Sequence, residues 1–380
     1  MENPFDNPER KSFRKIIKQF VDKEVKPFCD KWDEEGEVPW ELHQKVGDLG
    51  VWGFGIDEKY GGLGFDDCFM RSAFNEEFAK CGAYGVPASM TGRMISVEVI
   101  NKLASEEIKS RVLPDILCGR KGSSLGVTEP SGGSDVANLK TKAHKDGNHY
   151  VINGGKTFIT GGMKSDYFVI PARTGGEGLK GISLFFVEAD NEGFSRTSID
   201  RKMGWWCSDQ ATLYFDNMRV PAENLLGEEN SGFVETMENF NLERVALSAG
   251  TLGMMKICLD ESISWSQSRY TFGKPLIKHQ VVRHKIADMS SKIDATETYL
   301  NQICWMINNG QMPVAEICKL KFFATKSLEF CASEAMQILG GAGYLRGNPV
   351  ERVYREVKVM AIGGGSEEIM RDLAVKQMGL

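Results

Sequence analysis

The sequence predicts an α+β protein in which a β-domain lies between two helical domains. Residues 1–120 carry helix-start signals and apolar residues at helical spacing, residues 121–228 carry short runs rich in β-branched and aromatic residues, and residues 229–380 return to helical patterns. Helices, then strands, then helices along one chain indicate three domains with these boundaries. A chain of 380 residues is long enough for two or three domains.

Two helix starts stand out in the N-terminal part. Asn7 can cap a helix that has Pro8 at its first position, and apolar residues then recur at three- and four-residue steps along residues 13–25. Ser105 can cap a second helix. We expect Pro114 to end that helix after Leu113, because proline has no N–H to donate to the preceding turn.

The middle part contains four runs that are typical of strands in an antiparallel β-domain, and turn residues separate them: residues 149–152, 167–170, 182–187 and 211–215. Residues 176–181 show the glycine spacing of a dinucleotide-binding fingerprint. That motif needs a strand before it and a helix after it. Since a strand-like run lies on each side here, we interpret the segment as a hairpin loop.

Composition narrows the classes of function. The net charge is −6 and no long basic block occurs, which argues against nucleic acid or an anionic membrane as the main partner. No apolar run approaches the roughly 18 residues of a membrane span, and residues 1–6 lack the features of a signal peptide. Nine cysteines without a Cys-x-x-Cys pair and five scattered histidines predict no disulfide framework and no metal site. We therefore expect a cytoplasmic protein.

Four segments combine residue types that suit ligand binding. Residues 126–135 read Gly-Val-Thr-Glu-Pro-Ser-Gly-Gly-Ser-Asp, and residues 155–162 read Gly-Lys-Thr-Phe-Ile-Thr-Gly-Gly. Residues 269–276 read Arg-Tyr-Thr-Phe-Gly-Lys-Pro-Leu, and residues 337–344 read Gln-Ile-Leu-Gly-Gly-Ala-Gly-Tyr. Glycines let a backbone approach a ligand closely, and hydroxyls can donate to its polar atoms. Each segment alone has a simpler interpretation, namely a polar loop, a strand end, a solvated arginine or a helix cap.

In this order and helix–strand–helix context, the four segments resemble the signatures of the acyl-CoA dehydrogenase family over essentially the whole chain. The resemblance implies an N-terminal helical domain, a central antiparallel β-domain and a C-terminal four-helix-bundle domain. It also implies a homotetramer with FAD bound non-covalently at subunit interfaces. The implied flavin contacts of one subunit are Leu125, Val127, Thr128, Gly133, Ser134, Phe158, Ile159 and Thr160. Those of its neighbour are Arg269, Phe272, Gln280, Gln337 and Gly341.

The position of the catalytic base departs from the usual pattern of that family. Most members place a glutamate late in the chain, before a Gly-Thr/Ser pair, but here Gly364 stands at that position. Gly365 and Ser366 match the flavin-contacting pair. Isovaleryl-CoA and some long-chain acyl-CoA dehydrogenases instead carry a glutamate directly before an arginine, early in the C-terminal domain. Glu243 followed by Arg244 matches that arrangement, although a surface ion pair is the commoner role of such a dipeptide.

The implied reaction is α,β-dehydrogenation of an acyl-CoA, with Glu243 as base, Glu367 as the alternative base, and electron-transfer flavoprotein as electron acceptor. Residues implied at the substrate are Ser134, Phe240, Asn241, Arg244, Gly363 and Gly364. The two glycines predict room for medium, long or branched acyl chains. Three alternatives share the fold: an enoyl-CoA reductase acting on a carnitine-derived substrate, a flavin monooxygenase or oxidase, and a flavin-loaded binding protein without a base.

Overall fold

The computed structural model describes residues 4–380, except the side chain of Thr91. Residues 1–3, which belong to the expected first domain and to the segment where no signal peptide is expected, lie outside the described residues. In the part of the chain that the structure describes, no helix is long and apolar enough to span a bilayer.

Helices and strands follow one another as the sequence predicts. The first helices are α1 Pro8–Phe20, α2 Cys29–Glu35, α3 Trp40–Gly47, α4 Cys68–Ala79, α5 Gly85–Leu103 and α6 Glu106–Leu117. The strands of the middle part are β1 Ser123–Leu125, β2 Lys142–Asp146, β3 His149–Thr160, β4 Tyr167–Arg173, β5 Ile182–Glu188, β6 Phe194–Ser198, β7 Gln210–Pro221 and β8 Leu225–Leu226. The C-terminal part has helices α7 Gly232–Ser268, α8 Gln280–Asn308, α9 Val314–Leu339, α10 Pro349–Ile362 and α11 Glu367–Gln377, with a small hairpin of β9 Tyr270–Thr271 and β10 Lys274–Pro275.

The expected helix starts are confirmed, and one expected helix end is wrong. The side chain of Asn7 accepts a hydrogen bond from the Arg10 amide, and that of Ser105 accepts one from the Ile108 amide. Helix α6 continues past Pro114 to Leu117. The carbonyl that proline leaves without its helical partner belongs to Ser110, an exposed residue whose backbone water can reach.

The eight strands β1–β8 form one sheet in the order β6-β7-β3-β2-β4-β5-β8, with β1 beside β4. All four expected runs lie in strands, and the loop at residues 176–181 joins the antiparallel pair β4 and β5. The sheet is not antiparallel throughout, because β4 pairs with β1 and with β2 in parallel. The parallel pairing of β1 brings the chain from the last N-terminal helix into the sheet, and the following loop begins beside β4, where the Gly126 amide donates to the carbonyl of Val169.

The three largest clusters of buried side chains run across the parts of the chain: one joins the N-terminal helices to strands of the middle part, one joins helices of the first and third parts, and one lies within the sheet. Helix α7 packs on α4 and α5 as well as on α8, α9 and α10. Its first half therefore lies between the N-terminal helices and the C-terminal bundle.

Candidate active site

The first two sequence segments meet at the C-terminal half of β3. The amide of Thr157 on β3 donates to the carbonyl of Thr128 at 2.8 Å, and the Ser124 hydroxyl donates to the carbonyl of Thr160 at 2.8 Å. These bonds place residues 125–128 beside residues 158–160. Gly133 and Ser134 lie farther along the same loop, where the chain is exposed.

The loop and the strand end offer the chemistry that a flavin needs. The Phe158 ring is 61% exposed, although aromatic side chains are usually covered, and its backbone adopts a φ of +59°. Hydroxyl groups of Thr128, Ser134 and Thr160 lie on the same segments. A planar ring system with polar edges would cover the exposed phenylalanine and meet these hydroxyls, so the residues fit FAD.

A buried ion pair that the sequence analysis missed holds this loop. Lys156 is fully buried, and its Nζ donates to Oε1 of Glu129 at 2.8 Å. The Glu129 carboxylate also accepts hydrogen bonds from the amides of Lys140 and Thr141. These donors hold the pKa of Glu129 down at about 2, against the effect of burial. Glu129 and Lys156 lie inside the segments at residues 126–135 and 155–162, but the sequence alone does not show that their charges pair.

The second group of implied flavin contacts forms a separate, exposed cluster. Side chains of Arg269, Gln280 and Gln337 are exposed, and Phe272 is 96% exposed. Around Gly341, an added Cβ would meet no atom within 4 Å. No hydrogen bond or ion pair within residues 4–380 joins these residues to the loop at 126–135. Within the described part of one chain, the two groups are therefore not joined by direct polar contacts.

Glu243 lies on α7 at the wall of a largely apolar cavity between α4, α5 and α7. The cavity is lined by Cys68, Arg71, Ser72, Asn75, Met94, Ile95, Glu98, Asn239, Leu242, Glu243, Val245 and Ala246. The Oε2 atom of Glu243 is buried and has no hydrogen-bond partner among the described residues. Burial raises the pKa of Glu243 to about 7, while the charges of Arg244 and Lys321 act in the opposite direction.

Arg244 holds the segment around Gly364, which lies next to Glu243. Its Nε donates to the carbonyl of Gly364 at 3.0 Å, and its Nη1 donates to Oδ1 of Asn241 at 3.0 Å. The guanidinium carbon lies 5.9 Å from the centre of the Phe240 ring. Arg244 and Asn241 are both buried, so the surface ion pair considered for Glu243–Arg244 does not form.

The glycine loop, which we define as residues 363–366, passes directly beside Glu243. A Cβ added at Gly364 would lie 3.8 Å from Oε1 of Glu243 and only 2.8 Å from Cδ1 of Leu247. The expectation that the glycines open room beside the reacting carbons is therefore wrong at Gly364, because Leu247 and Glu243 fill the space that a side chain would take. Ser366 caps α11 by accepting a hydrogen bond from the Ile369 amide.

Glu367, the alternative base, is engaged elsewhere. It lies in the first turn of α11, and its Oε2 is 3.3 Å from Lys326 Nζ and 3.4 Å from Arg371 Nη1. Two cations and the N-terminus of a helix are enough to explain this carboxylate, so a catalytic role is not needed. The geometry thus favours Glu243 over Glu367.

Comparisons with known proteins show the family to which the chain is similar. The chain matches the N-terminal, middle and C-terminal domains of acyl-CoA dehydrogenases at residues 7–120, 124–218 and 230–379. It is 33% identical to "Acyl-CoA dehydrogenase AFT10-1" of Alternaria alternata, over 98% of this chain and 91% of that protein.

Two solved structures are similar over nearly the whole chain. A probable acyl-CoA dehydrogenase from Mycobacterium abscessus has a TM-score of 0.95 and 38% identity, covering 98% of this chain and 99% of that one. A glutaryl-CoA dehydrogenase from Mycobacterium smegmatis in complex with FADH2 has a TM-score of 0.93 and 26% identity, covering 98% of this chain and 95% of that one. With all three domains matched in order, the chain belongs to the acyl-CoA dehydrogenase family, whose members are flavoprotein oxidoreductases acting on acyl-CoA, and its cofactor is FAD.

Proposed function

We propose that the protein dehydrogenates an acyl-CoA thioester to the trans-2-enoyl-CoA, with Glu243 as the base that removes the α-proton. The observation that carries this proposal is the state of Glu243. Its carboxylate lies on the wall of a largely apolar cavity, has one buried oxygen without a hydrogen-bond partner among residues 4–380, and has a pKa of about 7. A base is most effective when its pKa is near the working pH.

Each part of the site has a role in this reaction. Glu243 takes the proton from the α-carbon onto its unpaired oxygen, and the apolar wall of the cavity accommodates the acyl chain. The hydroxyls of Thr128, Ser134 and Thr160 would hold the flavin, and the exposed ring of Phe158 would pack against it. FAD, when bound, supplies the acceptor for the hydride that leaves the β-carbon. Gly365, Ser366 and the substrate contacts at Phe240, Asn241, Arg244, Gly363 and Gly364 belong to the same proposal.

We also propose that the active form is a homotetramer. Arg269, Phe272, Gln280, Gln337 and Gly341 are all exposed in one chain, and they would complete the flavin site of a neighbouring subunit. A guanidinium suits a diphosphate because its coplanar donors form paired hydrogen bonds. Phe272 is 96% exposed in one chain, and a neighbouring subunit would cover its ring.

The resemblance implies electron-transfer flavoprotein as the electron acceptor, and we adopt this as part of the proposal. The nine cysteines are all free, which supports a reducing compartment such as the cytoplasm. The limits of the three domains remain predictions, at residues 120/121 and 228/229.

Anaerobic reduction of the flavin by a panel of acyl-CoA thioesters tests the proposal. We expect wild-type flavin to bleach with at least one thioester, and Glu243→Gln to bind FAD and thioester while the bleaching rate falls ~10²–10⁴-fold. Glu238→Gln is the matched control, since Glu238 lies on the same helix with a side chain that is 59% exposed. Normal bleaching in Glu243→Gln would refute the base assignment. Oxygen consumption in air without an added acceptor would indicate an oxidase instead.

A further inference from the structure

Lys321 is a buried lysine in the middle of α9 with no counter-ion in direct contact. Its side chain is fully buried, whereas lysines are almost never buried unless they are paired. Within residues 4–380, no carboxylate oxygen lies within the 4.0 Å of an ion pair from its Nζ. The Nζ instead donates to the carbonyls of Gly365 at 2.7 Å and of Ala361 at 3.1 Å.

The two carbonyls that Lys321 holds belong to the segment beside Glu243. Ala361 lies in the last turn of α10, where helical carbonyls lack partners within their own helix, and Gly365 lies in the glycine loop. Arg244 holds the carbonyl of Gly364, between them in the chain, from α7. Two buried cations on two helices thus hold the loop from α10 to α11 beside Glu243.

The charge of Lys321 also acts on Glu243. Burial lowers the pKa of Lys321 to about 8, and the charge of Glu243 is the largest influence that raises it. In return, the charges of Arg244 and Lys321 oppose the effect of burial on the pKa of Glu243. The ionisable groups that act on this pair come from several helices: Arg244 on α7, Cys318 on α9, Glu367 on α11, and Tyr84, which precedes α5.

An apolar side chain would fill the position of Lys321 at a lower cost. Desolvating an ammonium group costs several kcal/mol unless charges or hydrogen bonds compensate it. Its neighbours on the buried face of α9 are Ile317, Ala324 and Leu328, so hydrophobic packing alone would favour another aliphatic residue. The cation is therefore explained by its hydrogen bond to the glycine loop and by the action of its charge on Glu243.

We propose that Lys321 is a positioning residue for the dehydrogenation: it anchors the glycine loop beside Glu243 and stabilises the Glu243 carboxylate by its charge. This inference rests on the proposed function of Glu243. Lys321 does not touch the proposed base. It acts on Glu243 only through its charge and through the glycine loop.

Infrared titration tests the inference without turnover. The C=O stretch of the protonated Glu243 carboxyl group is identified by its absence in Glu243→Gln. Its intensity as a function of pH gives the protonation midpoint of Glu243 directly. We expect a midpoint of about 7 in the wild type. In Lys321→Met we expect the midpoint to rise by roughly 1–2 pH units, because a nearby cation is lost. Lys321→Arg keeps the charge and should keep the midpoint near that of the wild type.

A surface lysine on the same helix provides the control. Lys319 pairs with Glu316 at 3.4 Å, and Lys319→Met should leave the midpoint unchanged. If Lys321→Met does not fold, Lys321→Gln supplies a neutral side chain that still donates a hydrogen bond. An unshifted midpoint in the neutral variant that folds would overturn the inference.

The pH profile of flavin reduction separates a charge effect from a loss of structure. In Lys321→Met the profile should move to higher pH by the same amount as the infrared midpoint, so that the rates approach those of the wild type at alkaline pH. A uniform loss at every pH would mean that Lys321 has only a structural role. Normal flavin reduction in Glu243→Gln would overturn the proposed function, whereas an inactive Glu243→Gln with an unshifted Lys321→Met would overturn the role of Lys321 alone.

Discussion

Nζ of Lys156 lies 2.8 Å from Oε1 of Glu129, and neither side chain is exposed by more than 5%. The pair links β3 to the loop at residues 126–135, so the two segments implied at the flavin are joined through a charge pair as well as through backbone hydrogen bonds. Glu129 and Lys156 therefore support the proposed flavin site from its buried side. The ion pair would make the site rigid, while the hydroxyls and the exposed ring of Phe158 would face the flavin.

We expect Lys156→Met to destabilise the protein by about 3–5 kcal/mol, because it leaves the buried Glu129 carboxylate without its cation. FAD should also dissociate more readily, since the loop loses an anchor. Denaturant unfolding of the apoprotein and the fluorescence of released flavin measure the two effects. Adding Glu129→Gln to Lys156→Met should recover part of the stability, because the unpaired charge is then gone.

Lys164→Met is the surface control for this prediction. Its Nζ contacts Glu37, whose side chain is 65% exposed, so the ion pair should contribute no more than about 1 kcal/mol. Equal losses of stability in Lys156→Met and Lys164→Met would show that the buried pair has no special role.

The raised pKa of Glu243 predicts a cost in stability at neutral pH. The folded state holds the Glu243 proton up to a pKa of about 7, whereas the unfolded state releases it near the ordinary pKa of glutamate. Stability contributed by the protonated group is thus complete below the unfolded pKa and is lost as the pH rises towards 7. A glutamine does not titrate. The unfolding free energy of Glu243→Gln relative to wild type should therefore increase between pH 5 and pH 8, by up to roughly 3 kcal/mol.

Urea denaturation of the apoproteins at the two pH values measures this difference. Glu238→Gln, with a side chain that is 59% exposed, should show nearly the same small difference from wild type at both pH values. If Glu243→Gln also showed a constant difference, Glu243 would not titrate in a buried environment and its role as base would lose support.

Most of the fold could be predicted because its apolar periodicity is strong. The runs at residues 149–152 and 182–187 are fully or largely buried in strands, and their apolar residue types predict this burial. The strand β2 could not be predicted, since only Ala143 of Lys142–Asp146 is buried and the rest read as loop. The parallel pairing of β1 with β4 depends on the tertiary fold and leaves no local signal.

The residues of the candidate active site could be predicted where the residue type alone indicates the chemistry. Glu243 followed by Arg244, and the loop at residues 126–135, could be recognised in the sequence. Lys321 leaves only a weak signal, a single lysine on an otherwise apolar face of α9. Its partners are the backbone carbonyls of Ala361 and Gly365, which any residue type provides, so no sequence pattern marks the contact.

We expect Arg269→Ala to weaken FAD binding without destabilising a single chain. The Arg269 side chain is exposed, so its removal leaves no buried group unpaired. In the proposed tetramer it would leave a diphosphate without its paired donors. FAD content after gel filtration, with the mass by light scattering, measures the effect. Arg120→Ala, a surface arginine that pairs with Asp115 at 2.6 Å, is the control and should retain FAD. A flavin-saturated monomer would contradict the interface proposal.

The last prediction concerns the two glycines beside the base. Gly364 has a φ of +66°, which side chains other than glycine rarely adopt, and a Cβ there would lie 2.8 Å from Leu247. Gly363 has a φ of −64°, and its nearest neighbour would be the Val359 carbonyl oxygen at 3.3 Å. We therefore expect Gly364→Ala to lose about 1–3 kcal/mol of stability and Gly363→Ala clearly less. Thermal unfolding of the apoproteins compares the two.

The same geometry predicts that a base cannot simply be moved to position 364. A glutamate there must adopt the strained φ and displace Leu247, so Gly364→Glu should restore little flavin reduction to Glu243→Gly. Adding Leu247→Ala removes the contact at 2.8 Å and should raise the recovered rate above that of the double variant. Strain at the backbone remains, so the triple variant should stay well below the wild type. Strong recovery in Glu243→Gly with Gly364→Glu alone would show that the loop adapts readily, and that Lys321 and Arg244 do not hold it as tightly as their hydrogen bonds indicate.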